Sequence, residues 1–257
     1  EQEIRCTLFI RTNRGVKLTP EGERLFEHVA AAVAQLQAAE AELTAGMGLE
    51  QGNLSIGASE TALNIYLLDK LRAFHMEHPG IRLKIYNHST PQAIRSVKNG
   101  EIDFAVVSTP TNVEAPLKEI PVQVFRDIPV AGRSFTELEN QELSLAELQN
   151  YPLICLGRET MTWRFYHDLF LSHGLELNAD TEVATADQIL PLVQSDLGIA
   201  FLPESMAQEA LCQRRIVKIR LREKIPEREI CMVYDRKRPL SAAAQRLKDD
   251  ILKRRTK

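Results

Sequence analysis

From Asn53 to Val107, short apolar runs alternate with amphipathic ones, and this alternation restricts the fold more than any other feature. NLSIGA (Asn53–Ala58), IRLKIY (Ile81–Tyr86) and DFAVV (Asp103–Val107) read as strands, while Ala62–Glu77 and Pro91–Asn99 carry helical periodicity. A β-α-β-α-β order predicts a parallel sheet with right-handed crossovers. VQVFRDIPVA (Val122–Ala131) then reads as extended, with polar and charged breaks. A second α/β run follows: helix Ser144–Gln149, strand Leu153–Leu156, helix Trp163–His173, strand Glu182–Ala184, helix Asp187–Ser195, strand Ile199–Leu202 and helix Glu204–Leu211. Ile216–Leu221 and Glu229–Tyr234 read as further strands, and a last helix starts at Ser241 and reaches about Arg255. The expectation is a pair of α/β lobes with crossovers near Val124–Ala131 and Arg220–Glu229. In such folds, ligands sit at strand carboxyl ends and helix N-termini.

Ahead of the lobes, Thr19-Pro20-Glu21 is a helix start: Thr19 caps, Pro20 fits the first turn and Glu21 complements the dipole. The helix should run to about Ala45 and stop at Gly46 and Gly48. Leu25, Val29, Ala32, Leu36, Ala39 and Leu43 step by four and three, a heptad seam. So narrow a stripe favours a partner helix, making this a dimerisation helix, over packing on its own domain. Before it, Asn13-Arg14-Gly15 is tight-turn chemistry flanked by Arg11 and Lys17.

With a net charge of −3 over 257 residues, nucleic-acid contact must come from a local patch. Cys6, Cys155, Cys212 and Cys231 form no CxxC pair, so buried, reduced thiols in a cytoplasmic protein are expected. Neither a bilayer-length apolar run nor a signal peptide is present in the sequence. No GxGxxG, P-loop or HExxH occurs, and Ser59 lacks a His/Asp partner at recognisable spacing, so neither a cofactor nor catalysis is expected. His75 and His78 end a helix, where histidine is favourable without a metal, and no metal site is expected.

LFIRTNRGVKLTPEGERL resembles the wing and linker-helix start of LysR-type transcriptional regulators, through Leu8, Phe9, Arg11, Arg14, Gly15, Leu18, Thr19 and Gly22. GEIDFAVV (Gly100–Val107) and VQSDLGIAFLPESMA (Val193–Ala207) are similar to two further segments of that family, in the expected order. Cys6 and Asp196 stand where the family often has small residues. The resemblance implies a two-lobed, periplasmic-binding-protein-like effector domain preceded by a coiled-coil linker helix and the remnant of a winged helix-turn-helix. A whole winged domain should begin roughly fifty residues before Glu1, so the chain reads as cut within it. The implied division is a wing at 1–18, a linker helix at 19–48 and an effector domain at 52–257. Within that domain, one lobe spans about 52–124 and 229–257, and the other about 131–220.

Arg11, Asn13, Arg14 and Lys17 would then meet DNA phosphates or a minor groove, the alternative being an ordinary basic turn. Ser59-Glu60-Thr61, Thr90, Ser108-Thr109 and Thr160/Thr162 place hydroxyls at strand ends, a plausible cleft for a small polar or anionic effector. Glu60 would repel an anion if it faced the cleft, and Ser59 or Thr61 can equally serve as a simple cap. The resemblance places Thr90 at an effector-contact position and adds Phe201. It implies DNA-bound homodimers or homotetramers, with a solute-binding module as the alternative reading of the fold.

Overall fold

The computed structural model describes residues 1, 3–12, 15–44 and 52–253. Strands β1 (Phe9–Thr12) and β2 (Gly15–Leu18) form an antiparallel hairpin around Asn13 and Arg14, which lie outside the described residues. Gly15 takes φ +125°, a conformation that side chains disfavour. The hairpin runs into helix α1 (Pro20–Thr44), with Thr19 as its cap: the hydroxyl donates to Thr7 O at 2.7 Å and accepts from Gly22 N at 2.9 Å. A Cβ on Gly22 would stand 2.2 Å from Leu8 O, so only glycine lets the hairpin cross this close to the helix start. Leu25, Val29, Ala32 and Leu36 of the seam are exposed, as are Phe26 and Val33. The apolar stripe is therefore wider than the expected heptad; the Leu43 side chain lies outside the described residues.

The first lobe opens with β3 (Gly52–Ala58), then α2 (Glu60–Ala62), a π-helical turn (Leu63–Leu67) and α3 (Leu68–Glu77) as one continuous rod. It continues with β4 (Ile81–Asn87), α4 (Thr90–Asn99), β5 (Phe104–Ser108) and β6 (Leu117–Phe125). After Arg126 the chain enters the second lobe: β7 (Asp127–Gly132), a 3-10 segment (Arg133–Asn140), β8 (Glu142–Leu143), α5 (Leu145–Leu148), β9 (Leu153–Leu156) and α6 (Met161–Ser172). Then come β10 (Thr181–Val183), a 3-10 turn (Ala186–Gln188), α7 (Ile189–Gln194), β11 (Ile199–Pro203), α8 (Glu204–Cys212), β12 (Ile216–Lys218) and β13 (Arg220–Leu221). The chain returns to the first lobe as β14 (Arg228–Asp235) and ends in α9 (Ala242–Lys253).

The first sheet has the order β4-β3-β5-β14-β6 and the second β10-β9-β11-β7-β12. As the alternation requires, β3 is parallel to β4 and β5. β14 is antiparallel because it arrives from the other lobe, and β7 is antiparallel in its sheet for the same reason. β5 shows why a run such as FAVVS is apolar throughout: Phe104 and Val106 pack on one face, Ala105 and Val107 on the other. The expectation of buried thiols holds for Cys155 and Cys231 but fails for Cys212, which is exposed at the end of α8. Burial, with Glu182 and Asp180 nearby, pushes the Cys155 thiol up to about 12. No described helix is long and apolar enough to cross a membrane.

Candidate functional site

The carboxyl ends of β3 and β5 and the start of α4 are stitched together. Ser59 N donates to Val106 O (3.1 Å), His88 N to Ala58 O (3.0 Å), and the buried Thr90 hydroxyl to Ser108 O (3.3 Å). Ser59 caps α2 by accepting from Ala62 N, while Thr61, in the same first turn, is buried. Glu60 does not stand free: its carboxylate accepts from Asn64 Nδ2 at 2.6 Å and Asn87 Nδ2 at 3.0 Å. Across the junction, Thr160 caps α6, and α2 packs against the 3-10 turn Ala186–Gln188.

Between the lobes lies a residue that the sequence did not single out. Arg228 opens β14 with only 2% of its surface exposed. Its Nε donates to Thr109 O (2.9 Å) and Nη1 to Asp127 Oδ2 (3.1 Å); Nη2 donates to Ser108 Oγ (3.2 Å) and Thr162 Oγ1 (2.9 Å). Phe125 and Phe165 flank the guanidinium, with ring centroids 5.2 and 5.0 Å away. Asp127, the first residue of β7, also accepts from the Tyr166 hydroxyl at 2.6 Å. Complete burial beside that carboxylate holds the Tyr166 phenol well above its usual range, so it remains a donor.

These bonds divide the candidate hydroxyls into two groups. Ser59, Ser108, Thr109 and Thr162 each accept from a nitrogen, and among the described residues none donates its own proton. Thr160 accepts from Trp163 N and donates to Gly157 O, and Thr90 donates to Ser108 O, so both protons are committed. Four hydroxyls therefore have a proton to give, and an acceptor is what they can receive. Phe201 is buried beneath Tyr166, the rings stacked at 4.7 Å, and belongs to the packing of the second lobe.

The family model described as the LysR substrate binding domain matches residues 47–255. This chain belongs to that family. It is 26% identical over 248 residues to the HTH-type transcriptional regulator YofA of Bacillus velezensis, covering 96% of this chain and 83% of the relative. The effector binding domain of QuiR in complex with shikimate superimposes with a TM-score of 0.70 at 19% identity, over 80% of this chain and 98% of that one. Full-length CbnR complexed with its target DNA gives 0.73 at 17% identity, over 99% and 86%. The two lobes are thus a LysR effector domain, and the chain is an effector-responsive transcriptional regulator rather than a solute-binding module.

In the hairpin, Arg11 pairs with Val16 and Lys17 with Ile10, so the two described cations point to opposite faces. Asp196 is more than a tolerated departure from the LysR pattern. It adopts φ +62°, where a family glycine would be at ease, and its carboxylate accepts from Ser134 N at 2.8 Å. Arg228 and Asp127 each begin a strand next to a lobe crossover, a position the sequence shows without showing the contact between them.

Proposed function

We propose that a small organic anion binds between the lobes, contacting Ser59, Thr61 and Ser108-Thr109 from the first lobe and Thr162 from the second. The carrying observation is that one guanidinium nitrogen, Arg228 Nη2, holds both Ser108 and Thr162. A ligand that takes the protons of these two hydroxyls bridges the lobes and biases their separation. Thr90 and Thr160 shape the wall by holding its backbone, and Phe201 supports Tyr166. The apolar face of α1 (Leu25, Val29, Ala32, Leu36) joins two copies, and the hairpin, with Arg11 on one face and Lys17 on the other, meets DNA phosphates. Lobe separation then sets the spacing of the DNA-binding heads. No chemistry is performed on the ligand, and the protein works where DNA is, in the cytoplasm.

A thermal-shift screen of shikimate, other organic acids, amino acids and sugar phosphates tests the reading. A ligand at one hundred times its Kd adds about 2.7 kcal/mol of stability. An organic acid should raise Tm and alter the footprint on promoter DNA. A panel in which nothing stabilises the protein would sink the proposal.

A further inference from the structure

Arg228 and Asp127 form a buried ion pair whose side chains are 2% and 0% exposed. Four of the five guanidinium protons have acceptors, and the two on Nη2 point to hydroxyls from different lobes. A hydroxyl that accepts from a cation has its proton turned away from that cation, which polarises the proton for donation. Asp127 takes both of its bonds, from Arg228 and Tyr166, on Oδ2; Oδ1 is buried and has no partner among the described residues. An under-bonded buried carboxylate is costly for a mere spacer, but it is the minimum needed to cancel a buried positive charge.

We propose that Arg228 is the positioning residue that makes this junction a donor surface, and that Asp127 sets how strongly the surface prefers anions. The proposal rests on the ligand-cleft reading above. With Asp127 ionised, the pair is neutral, and an anion is held by hydroxyl protons and helix N-termini alone, so it binds reversibly. Neutralising Asp127 leaves a net positive charge behind those hydroxyls in a weakly screened site. Replacing Arg228 with lysine keeps the charge but loses the fork that orients Ser108 and Thr162 together.

The test uses matched charge pairs, acetate against acetamide and inorganic phosphate against trimethyl phosphate. Binding is read from thermal shift and from the fluorescence of Trp163, the sole tryptophan, one residue past Thr162. Wild type should prefer each anion to its neutral partner. Asp127→Asn, which keeps the shape and an acceptor, should raise that preference about tenfold by the Coulomb argument. Arg228→Lys should lower it about tenfold by loss of the bidentate geometry. A purely structural pair would move anionic and neutral affinities together, and that result, or weaker anion binding in Asp127→Asn, overturns the proposal. If a screened ligand binds at Ser108 and Thr162 while the charge preference stays fixed in both variants, the donor-surface idea falls and the cleft reading survives. If neither anionic nor neutral probes bind and the metabolite screen is also silent, both fall.

Discussion

Buried and capped polar residues set the chemistry of the junction. Ser108 and Thr162 were visible in the sequence as hydroxyls at strand and helix ends, but the guanidinium that joins them was not. Arg228 lies 120 residues from Ser108 and 101 from Asp127 in sequence, and no local pattern reports a contact at that range. Asp196 shows a smaller effect of the same kind, since its partner Ser134 is 62 residues away. The backbone N–H of Ser134 holds the Asp196 carboxyl below its ordinary value. A depressed folded-state pKa contributes stability that is full above the unfolded value and lost as pH falls through the folded one. Asp196→Asn tolerates the same backbone but does not titrate. The gap in Tm between wild type and this variant, followed from pH 7 towards about 3, should therefore narrow as pH falls; a constant gap would contradict the assignment.

At the scale of elements, period and punctuation carried most of the fold. The β-α-β-α-β alternation, the Thr19-Pro20 start and the strand at Leu153–Leu156 were legible because each has an apolar period or a cap. The 3-10 segment Arg133–Asn140 and the two-residue β8 were not: the first is broken at Phe135, whose backbone leaves helical geometry, and the second is too short to show a period. Gly22 was legible as a motif letter, but its reason is steric. Gly22→Ala should destabilise the hairpin–helix junction by about 1–3 kcal/mol, the usual cost of overpacking. Hydrogen exchange should show earlier opening of residues 7–12 and 15–22, while the lobes stay unchanged. Helix α1 presents Leu36 at 67% exposure within its apolar stripe. Leu36→Arg should weaken self-association by about 2–4 kcal/mol, the range of a central interface anchor. Light scattering would show this as a fall in mass over a concentration series, and an unchanged mass would remove α1 from the interface.

For the whole molecule, two crossovers, at Arg126 and between Leu221 and Arg228, join the two lobes, and the buried Arg228–Asp127 pair lies beside both. The π-helical turn Leu63–Leu67 packs against α8 of the other lobe, a second contact between the lobes. On the side of the first lobe, α1 packs on α4, whose first turn carries Thr90. The central claim is that one ligand draws hydrogen bonds from both lobes through Ser108 and Thr162. Titration calorimetry with the best ligand from the screen, on wild type, Ser108→Ala, Thr162→Ala and the double variant, tests it most directly. Each single change should weaken binding about tenfold, the loss of one charge-assisted hydrogen bond. The double variant should lose less than the sum, since both hydroxyls share one guanidinium. Affinity unchanged in either single variant would contradict the account.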